Sequence, residues 1–266
     1  MNKDLILAPS YRTLWISDVH LGTKSCRATD LLNFLTEARA DRIYLVGDIV
    51  DLERMKVSPI FPKAHLSVIA KFVQLANQGT EVIYIPGNHD HEFRGTVGSE
   101  ICGIPVMFEA SHELPTGEKL LVMHGDVLDG QIRRGTNLEK FGAAAYRLLL
   151  EADVLYNRLR ESLGRDFMPV CSGIKRRLKS ATEYIERFES VAAQYALDRG
   201  FDGVVCGHIH RPGIRRIGSS LYANDGDWVE HRTALAESAD GTLQILSWQL
   251  DTIQVDARVP ALAPAA

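Results

Sequence analysis

Five times along this chain a short apolar run ends in a cluster of aspartate, asparagine or histidine. Leu14-Trp15-Ile16 leads into Asp18-Val19-His20, and Tyr44-Leu45-Val46 leads into Gly47-Asp48. Residues 82–85 lead into Gly87-Asn88-His89-Asp90, and residues 120–123 into His124-Gly125-Asp126. Val204-Val205-Cys206 leads into Gly207-His208-Ile209-His210. Apolar runs this short read as buried strands. If they belong to packed sheets, the clusters gather at strand C-terminal ends, where open α/β sheets place their ligand sites.

The stretches between the runs support that reading. Residues 28–39 carry Leu31, Leu32 and Leu35 on one helical face, and residues 64–76 carry Leu66, Ile69, Phe72, Val73 and Ala76 at helical spacing. Strand, helix, strand in repetition implies parallel pairing through crossovers, with helices covering the sheet. Further strands are expected at 106–108, 214–217, 221–223, 233–236 and 243–248. From 135 to 199 nothing strand-like occurs. Helical patterns fill 141–150, 154–163 and 175–197, broken by Gly164, Pro169 and Gly173. The expected fold class is α/β, a layered β-sandwich flanked by helices. It forms a single domain over 1–258 with a helical insertion at about 131–190, and the Ala/Pro-rich tail, 259–266, frays.

Charge and cysteine usage narrow the partners. Lysine plus arginine number 30 against 34 acids, a formal net charge of -4, which argues against a nucleic-acid coat. No apolar run approaches the roughly 18 residues of a membrane span. Residues 1–11 lack the basic start and long apolar centre of a secretory signal. The four cysteines, Cys26, Cys102, Cys171 and Cys206, are scattered without a CxxC, as in a reduced, cytoplasmic chain.

The donor types define the chemistry. Aspartate, asparagine and histidine supply oxygen and imidazole nitrogen with no thiolate, a set suited to Mn, Fe or Zn and less well to Mg. Seven donors are too many for one ion with an open position. Two ions sharing a carboxylate fit better, and such a pair activates water and neutralises phosphate oxygens in an in-line displacement. Taken singly, each cluster reads as a loop or turn. Five in order, each after an apolar run, read as one site. His65, His91, His112 and His231 fall outside the pattern and read as structural.

These clusters resemble the calcineurin-like metallophosphoesterases, whose pattern is D-x-H, G-D-x-x-D, G-N-H-D/E, a late His and then G-H-x-H. The resemblance runs from Asp18 to His210. It implies one metal held by Asp18, His20, Asp48 and His210, and a second held by Asp48, Asn88, His124 and His208, with Asp48 bridging. It implies a β-sandwich flanked by helices, in agreement with the strand pattern. His89, next to Asn88, is a candidate catalytic residue that would stabilise phosphoryl oxygens or protonate the leaving oxygen. Asp51 matches the last acid of G-D-x-x-D and would orient that histidine. Asp90 is expected to brace its own loop, and Asp126 to line the pocket. Some relatives in this superfamily are protein-binding scaffolds that lack catalytic residues; here all seven ligands and His89 are present.

Two features bear on the substrate. Residues 131–187 hold 12 lysines and arginines against seven acids, densest at Lys175-Arg176-Arg177 and Lys179, interleaved with apolar side chains such as Leu155, Leu159 and Phe167. A basic, apolar cap suits an amphiphilic anion, for which Lys175 and Lys179 are candidate contacts, and could rest on anionic lipid at a membrane surface. The chain also resembles the UDP-2,3-diacylglucosamine diphosphatase branch in Ser17-Asp18-Val19-His20-Leu21-Gly22, in the insertion between the His124 and His208 motifs, and in Asn224-Asp225-Gly226-Asp227-Trp228. That resemblance implies cleavage of a UDP-linked acylated sugar to UMP and the lipid 1-phosphate on the cytoplasmic face, in lipid A synthesis, with manganese as the ion. One position departs: the diphosphatases of this branch carry Arg where this chain has His89. A soluble phosphodiesterase or phosphatase acting on another substrate is the alternative.

Overall fold

The computed structural model describes residues 10–132, 156, 160 and 179–259, without the side chains of 179–181. The expected helices at 141–150 and 154–163, most of the basic insertion, Lys175, and the tail beyond Val259 lie outside the described residues. Two sheets stack face to face. The first has six strands in the order β13-β12-β11-β1-β2-β3 and the second five in the order β6-β7-β8-β10-β9.

In the first sheet β1 (Ser10–Ile16), β2 (Arg39–Val46) and β3 (Glu81–Ile85) run parallel, with Leu14 opposite Ile43 and Ile43 opposite Val82. The crossovers carry α1 (Ala28–Glu37), then α2 (Leu52–Val57) and α3 (Lys63–Asn77). On the other flank β11 (Thr233–Glu237), β12 (Leu243–Gln249) and β13 (Thr252–Val259) run antiparallel. In the second sheet β7 (Lys119–Val122), β8 (Gly203–Cys206) and β10 (Ser220–Asn224) are parallel, edged by antiparallel β6 (Ala110–Glu113) and β9 (Gly213–Ile217). A two-stranded ribbon joins β4 (Glu100–Ile101) to β5 (Ile104–Pro105). The helix α4 (Asp129–Ile132) follows β7, and α5 (Lys179–Asp198) leads into β8.

Strand alternation sorts the apolar side chains into three layers. Leu14 and Ile16 face α1 and α3 with Leu31, Phe34 and Phe72. Trp15, one residue out of phase, points between the sheets with Tyr44, Val205 and Leu235. Leu121 and Met123 face outward under Phe188 and Ala192 of α5, while Leu120 and Val122 face inward. The result is the α/β sandwich that the strand pattern implies. Among the described residues no helix is long and apolar enough to cross a membrane.

Several elements differ from the expectation. The strand expected at 106–108 reduces to a bridge between Val106 and Tyr84, because Met107 and Phe108 turn outward into solvent. β6, β13 and α2 were not anticipated. β13 does alternate, with Ile253 and Ala257 more shielded than their neighbours, but one free face leaves its apolar signal weak. α2 buries no residue, so it has no apolar stripe to read.

His112 has a structural place, as its sequence context implied. It lies fully buried at the intersheet layer, edge-on to Trp15, with Nε2 2.9 Å from Glu237 Oε2. Burial alone would raise the Glu237 carboxyl, but the His112 bond and charge hold it below its ordinary value of 4.5. A depressed folded pKa adds stability above the unfolded value, and that stability is lost as pH falls through the folded one. Thermal melts from pH 7 to pH 3 should therefore show the wild type losing Tm below about 4.5 more steeply than Glu237→Gln. Parallel curves would remove this pair from the acid response.

Candidate functional site

The five clusters converge at one edge of the sandwich, and the backbone there is strained. Asp18, His20, Asp48, His208 and His210 all have φ between 50° and 68°. Non-glycine residues in this left-handed region cost of order 1 kcal/mol or more each, and they persist where surrounding structure over-determines them. Here it does. Asp18 N–H donates to Gly47 O (3.1 Å), His20 N–H to Asp48 O (2.9 Å), and His208 N–H to Asp18 Oδ2 (2.8 Å). Each tight turn at a strand end throws its side chain across the edge toward the same point.

Two glycines show why the approach is so close. A Cβ on Gly47 would lie 2.3 Å from His124 Nδ1, and one on Gly207 would lie 2.4 Å from Asp18 Oδ2. Gly47 also has φ +82°, whereas Gly207 needs only the space. Asp90, fully buried, accepts from Gly87 N (2.6 Å), Ile49 N (2.8 Å) and Asp48 N (3.2 Å). It thus braces the Asp48 loop as well as its own.

The side chains form overlapping triads. Asp18, His20 and His210 offer ligand atoms within 4.8 Å of one another, and so do Asp18, Asp48 and His124. His210 Nε2 is 3.1 Å from Asp18 Oδ1, and His124 Nε2 is 3.4 Å from Asp48 Oδ2 and 3.3 Å from Asn88 Oδ1. His124 Nδ1 donates to Val46 O at 2.8 Å, which leaves the Nε2 lone pair for the cluster. His208 joins differently. Its Nε2 is 3.0 Å from Asp129 Oδ1, so Nδ1 is the atom left for the site, with the ring 5.2 Å from that of His124.

Asp51 stands between two imidazoles. Its Oδ2 is 3.3 Å from His20 Nδ1 and its Oδ1 is 3.2 Å from His89 Nδ1, while it also caps α2 by accepting from Arg54 N at 2.8 Å. His89 N–H donates to Asp48 Oδ1 at 2.8 Å. Asp126 lines a crevice beside His124, its carboxylate on Arg94 Nη2 (2.7 and 2.8 Å). Arg94 also donates to Pro86 O at 3.2 Å, tying the Asn88 loop to the His124 loop. Lys179 begins α5, but its side chain lies outside the described residues, as does all of Lys175.

Two carboxylates escaped sequence reasoning. Asp129 orients His208 and accepts from Tyr184 Oη at 2.8 Å. Asp227 lies 3.9 Å from His210 Nδ1 and 2.6 Å from His231 Nδ1. Only the second had a signal, in the Asn224–Trp228 segment. Carboxylates behind metal-binding imidazoles commonly set ring orientation.

The electrostatics suit cations. Burial would lower His20, but the Asp51 bond and the Asp48 and Asp18 charges outweigh it and take the ring up to about 9. His124 is raised well above its ordinary value, with Asp48 and Asp18 overcoming burial. The carboxylates therefore demand positive charge. Asp18 Oδ1, whose 3.1 Å approach to His210 Nε2 lacks hydrogen-bond geometry, and His20 Nε2 are buried without a hydrogen-bond partner, 3.9 Å apart. Orphaned donor atoms of this kind, in an all oxygen and imidazole set, fit divalent metals.

Comparison with known proteins agrees. A family model described as calcineurin-like phosphoesterase matches residues 11–212. A UDP-2,3-diacylglucosamine hydrolase of Stenotrophomonas maltophilia is 28% identical over 260 residues, covering 91% of this chain and 98% of the relative. One of Vibrio cholerae is 25% identical, covering 91% and 99%. Among solved structures, a phosphoesterase from E. coli covers 93% of this chain and 98% of its own, at TM-score 0.50 and 14% identity, a likeness of fold alone.

Proposed function

Since the chain belongs to the calcineurin-like phosphoesterase family and is a metal-dependent phosphohydrolase, we propose that it cleaves the diphosphate of UDP-2,3-diacylglucosamine or a similar lipid-linked nucleotide to UMP and the lipid 1-phosphate. The observation that carries the substrate is the end-to-end match to relatives bearing that hydrolase name. One divalent ion would be held by Asp18, His20, Asp48 and His210, and the other by Asp48, Asn88, His124 and His208, with Mn2+ as the metal proposed. When bound, the pair supplies an activated water and positive charge against the phosphate oxygens. Asp48 presents Oδ2 to both sides, facing His20 Nε2 at 3.9 Å and His124 Nε2 at 3.4 Å, while His89 N–H anchors Oδ1. Asp51 Oδ1 lies 3.2 Å from His89 Nδ1, which leaves Nε2 as the ring atom that would meet the substrate. The basic composition of residues 131–187 supports an amphiphilic anion as substrate and a peripheral contact with the cytoplasmic membrane face.

One observation favours a second reading, a phosphodiesterase or phosphatase with another substrate. A phosphate leaving group departs as a stable anion and asks for fixed positive charge, which an Arg supplies. An alcohol leaving group asks for a proton, which the Asp51-held His89 can deliver. The test compares detergent-solubilised UDP-2,3-diacylglucosamine with bis(4-nitrophenyl) phosphate after EDTA treatment and Mn2+ reconstitution. The proposal expects Mn2+ to restore activity and kcat/KM for the lipid nucleotide to exceed that for the aryl diester at least about a hundredfold, roughly 3 kcal/mol of selective binding. Equal or lower turnover of the lipid nucleotide sinks the substrate assignment in favour of the second reading.

A further inference from the structure

The two carboxylate oxygens of Asp18 have different surroundings. Oδ2 accepts from Ser17 Oγ at 2.5 Å and from the His208 N–H at 2.8 Å. A carboxylate oxygen offers roughly two acceptor sites, and both on Oδ2 are taken. Oδ1 is buried with no hydrogen-bond partner among the described residues, and it faces His210 Nε2 at 3.1 Å and His20 Nε2 at 3.9 Å. The fold thus occupies one oxygen from within and leaves the other for the cluster.

Ser17 does not act alone. Its Oγ also lies 2.7 Å from Asp225 Oδ1 and 3.3 Å from Gly226 O. Ser17 and Asp225 are both buried. The Asp225 main chain is held twice, its N–H on Cys206 O at 3.3 Å and its carbonyl under Thr233 Oγ1 at 2.9 Å. The loop after β10 therefore delivers this carboxyl to the end of β1 across 208 positions of chain. A serine hydroxyl carries a single proton. Two carboxyl groups at 2.5 and 2.7 Å from it need a second proton, and the one that binds metal is ionised. The second proton then belongs to Asp225, whose Oδ1–H donates to Ser17 Oγ, while Ser17 donates to Asp18. The other oxygen of Asp225 agrees. Oδ2 is buried without a hydrogen-bond partner among the described residues, a setting that suits a neutral acid better than an anion.

We propose that Ser17 and Asp225 are positioning residues of the metal centre: the hydrogen-bond chain from Asp225 through Ser17 to Asp18 fixes the Asp18 carboxylate so that Oδ1 alone meets the metal. Asp18 then enters as a one-oxygen ligand beside His20 and His210, and both positioning residues act through it. The inference rests on Asp18 as a ligand and is independent of which phosphoester is cleaved.

Mn2+ titration of the EDTA-treated protein, with free Mn2+ followed by electron paramagnetic resonance, tests this without substrate. Ser17→Ala and Asp225→Ala should weaken one of the two Mn2+ sites about tenfold to a hundredfold and leave the other nearly unchanged. Asp225→Asn should stay near the wild type, because its Nδ2–H donates to Ser17 Oγ as the acid does. A merely structural role would lower Tm in these variants with both Mn2+ affinities intact, and that result overturns the proposal. Asp225→Asn as weak as Asp225→Ala overturns the donor role of Asp225. If Asp225→Ala fails to fold, Ser17→Ala, which removes only the hydroxyl, decides the chain. Asp18→Ala separates the proposal from the ligand reading beneath it. Two ions held there with wild-type affinity would remove Asp18 from the metals. One ion lost there, with unchanged affinities in Ser17→Ala and Asp225→Ala, would overturn the positioning chain alone.

Discussion

Asp48→Ala should release both metal ions and lower kcat/KM by about a thousandfold or more, about 4 kcal/mol of transition-state stabilisation. The expectation follows from position. Asp48 is 2% exposed, faces both His20 and His124 with one oxygen, and holds the His89 amide with the other. Asp18 is the member common to the two ligand triads, and Asp48 is the carboxylate whose one oxygen lies within 3.9 Å of both His20 and His124. Metal analysis of the purified variant gives the direct readout, with two ions per chain in the wild type and fewer than one in the variant. Because the carboxylate also offsets buried imidazoles, Asp48→Asn serves as a second variant that keeps shape and the amide bond while losing charge. Circular dichroism confirms that either is folded. Two ions retained in folded Asp48→Ala would overturn the bridging role.

His89→Ala should lower kcat between about a hundredfold and ten-thousandfold while both ions stay bound. Its backbone already serves the cluster through Asp48, so truncating the side chain leaves that bond intact. The side chain meets Asp51 at 3.2 Å and packs edge-on to His20 at 4.8 Å between ring centroids. The leaving group separates the two ways the ring can act. If it donates a proton, the defect is large for alkyl esters and small for 4-nitrophenyl esters, whose leaving anion needs none. If it contributes charge alone, the defect is uniform and His89→Arg restores most of the activity. Unchanged kcat in His89→Ala on every substrate would remove the residue from the chemistry. Asp51→Asn should produce a weaker version of the same pattern while the α2 cap is kept, because an asparagine Oδ1 accepts from Arg54 N as the carboxylate does.

Much of this was legible without coordinates because strands ending in polar donors leave a strong local mark. The runs before Asp18, Asp48, Asn88, His124 and His208 are short, apolar and bounded, and each is a strand or strand end where expected. The parallel order of β1, β2 and β3 followed from the helices between them. Elements with weak burial contrast were lost. α2 buries nothing, β13 has one face open, and the run at 106–108 has apolar composition without sheet partners for Met107 and Phe108.

The sequence by itself determined the donor set and its order along the chain, because residue type decides which atoms can bind a cation, and apolar runs decide where strands stop. It also marked the glycines at 47 and 207. Only the tertiary structure decided how the donors meet. The left-handed turns at Asp18, His20, Asp48, His208 and His210 are sustained by bonds between loops far apart in sequence. The same holds for the carboxylates behind the rings. Asp129 reaches His208 across 79 positions of chain, and Asp51 reaches both His20 and His89. Such pairings carry no local periodicity, since they arise from packing one strand end against another. His65 is a further case: a helix residue by its pattern, it accepts through Nδ1 from the Gly22 N–H of a loop 43 positions away.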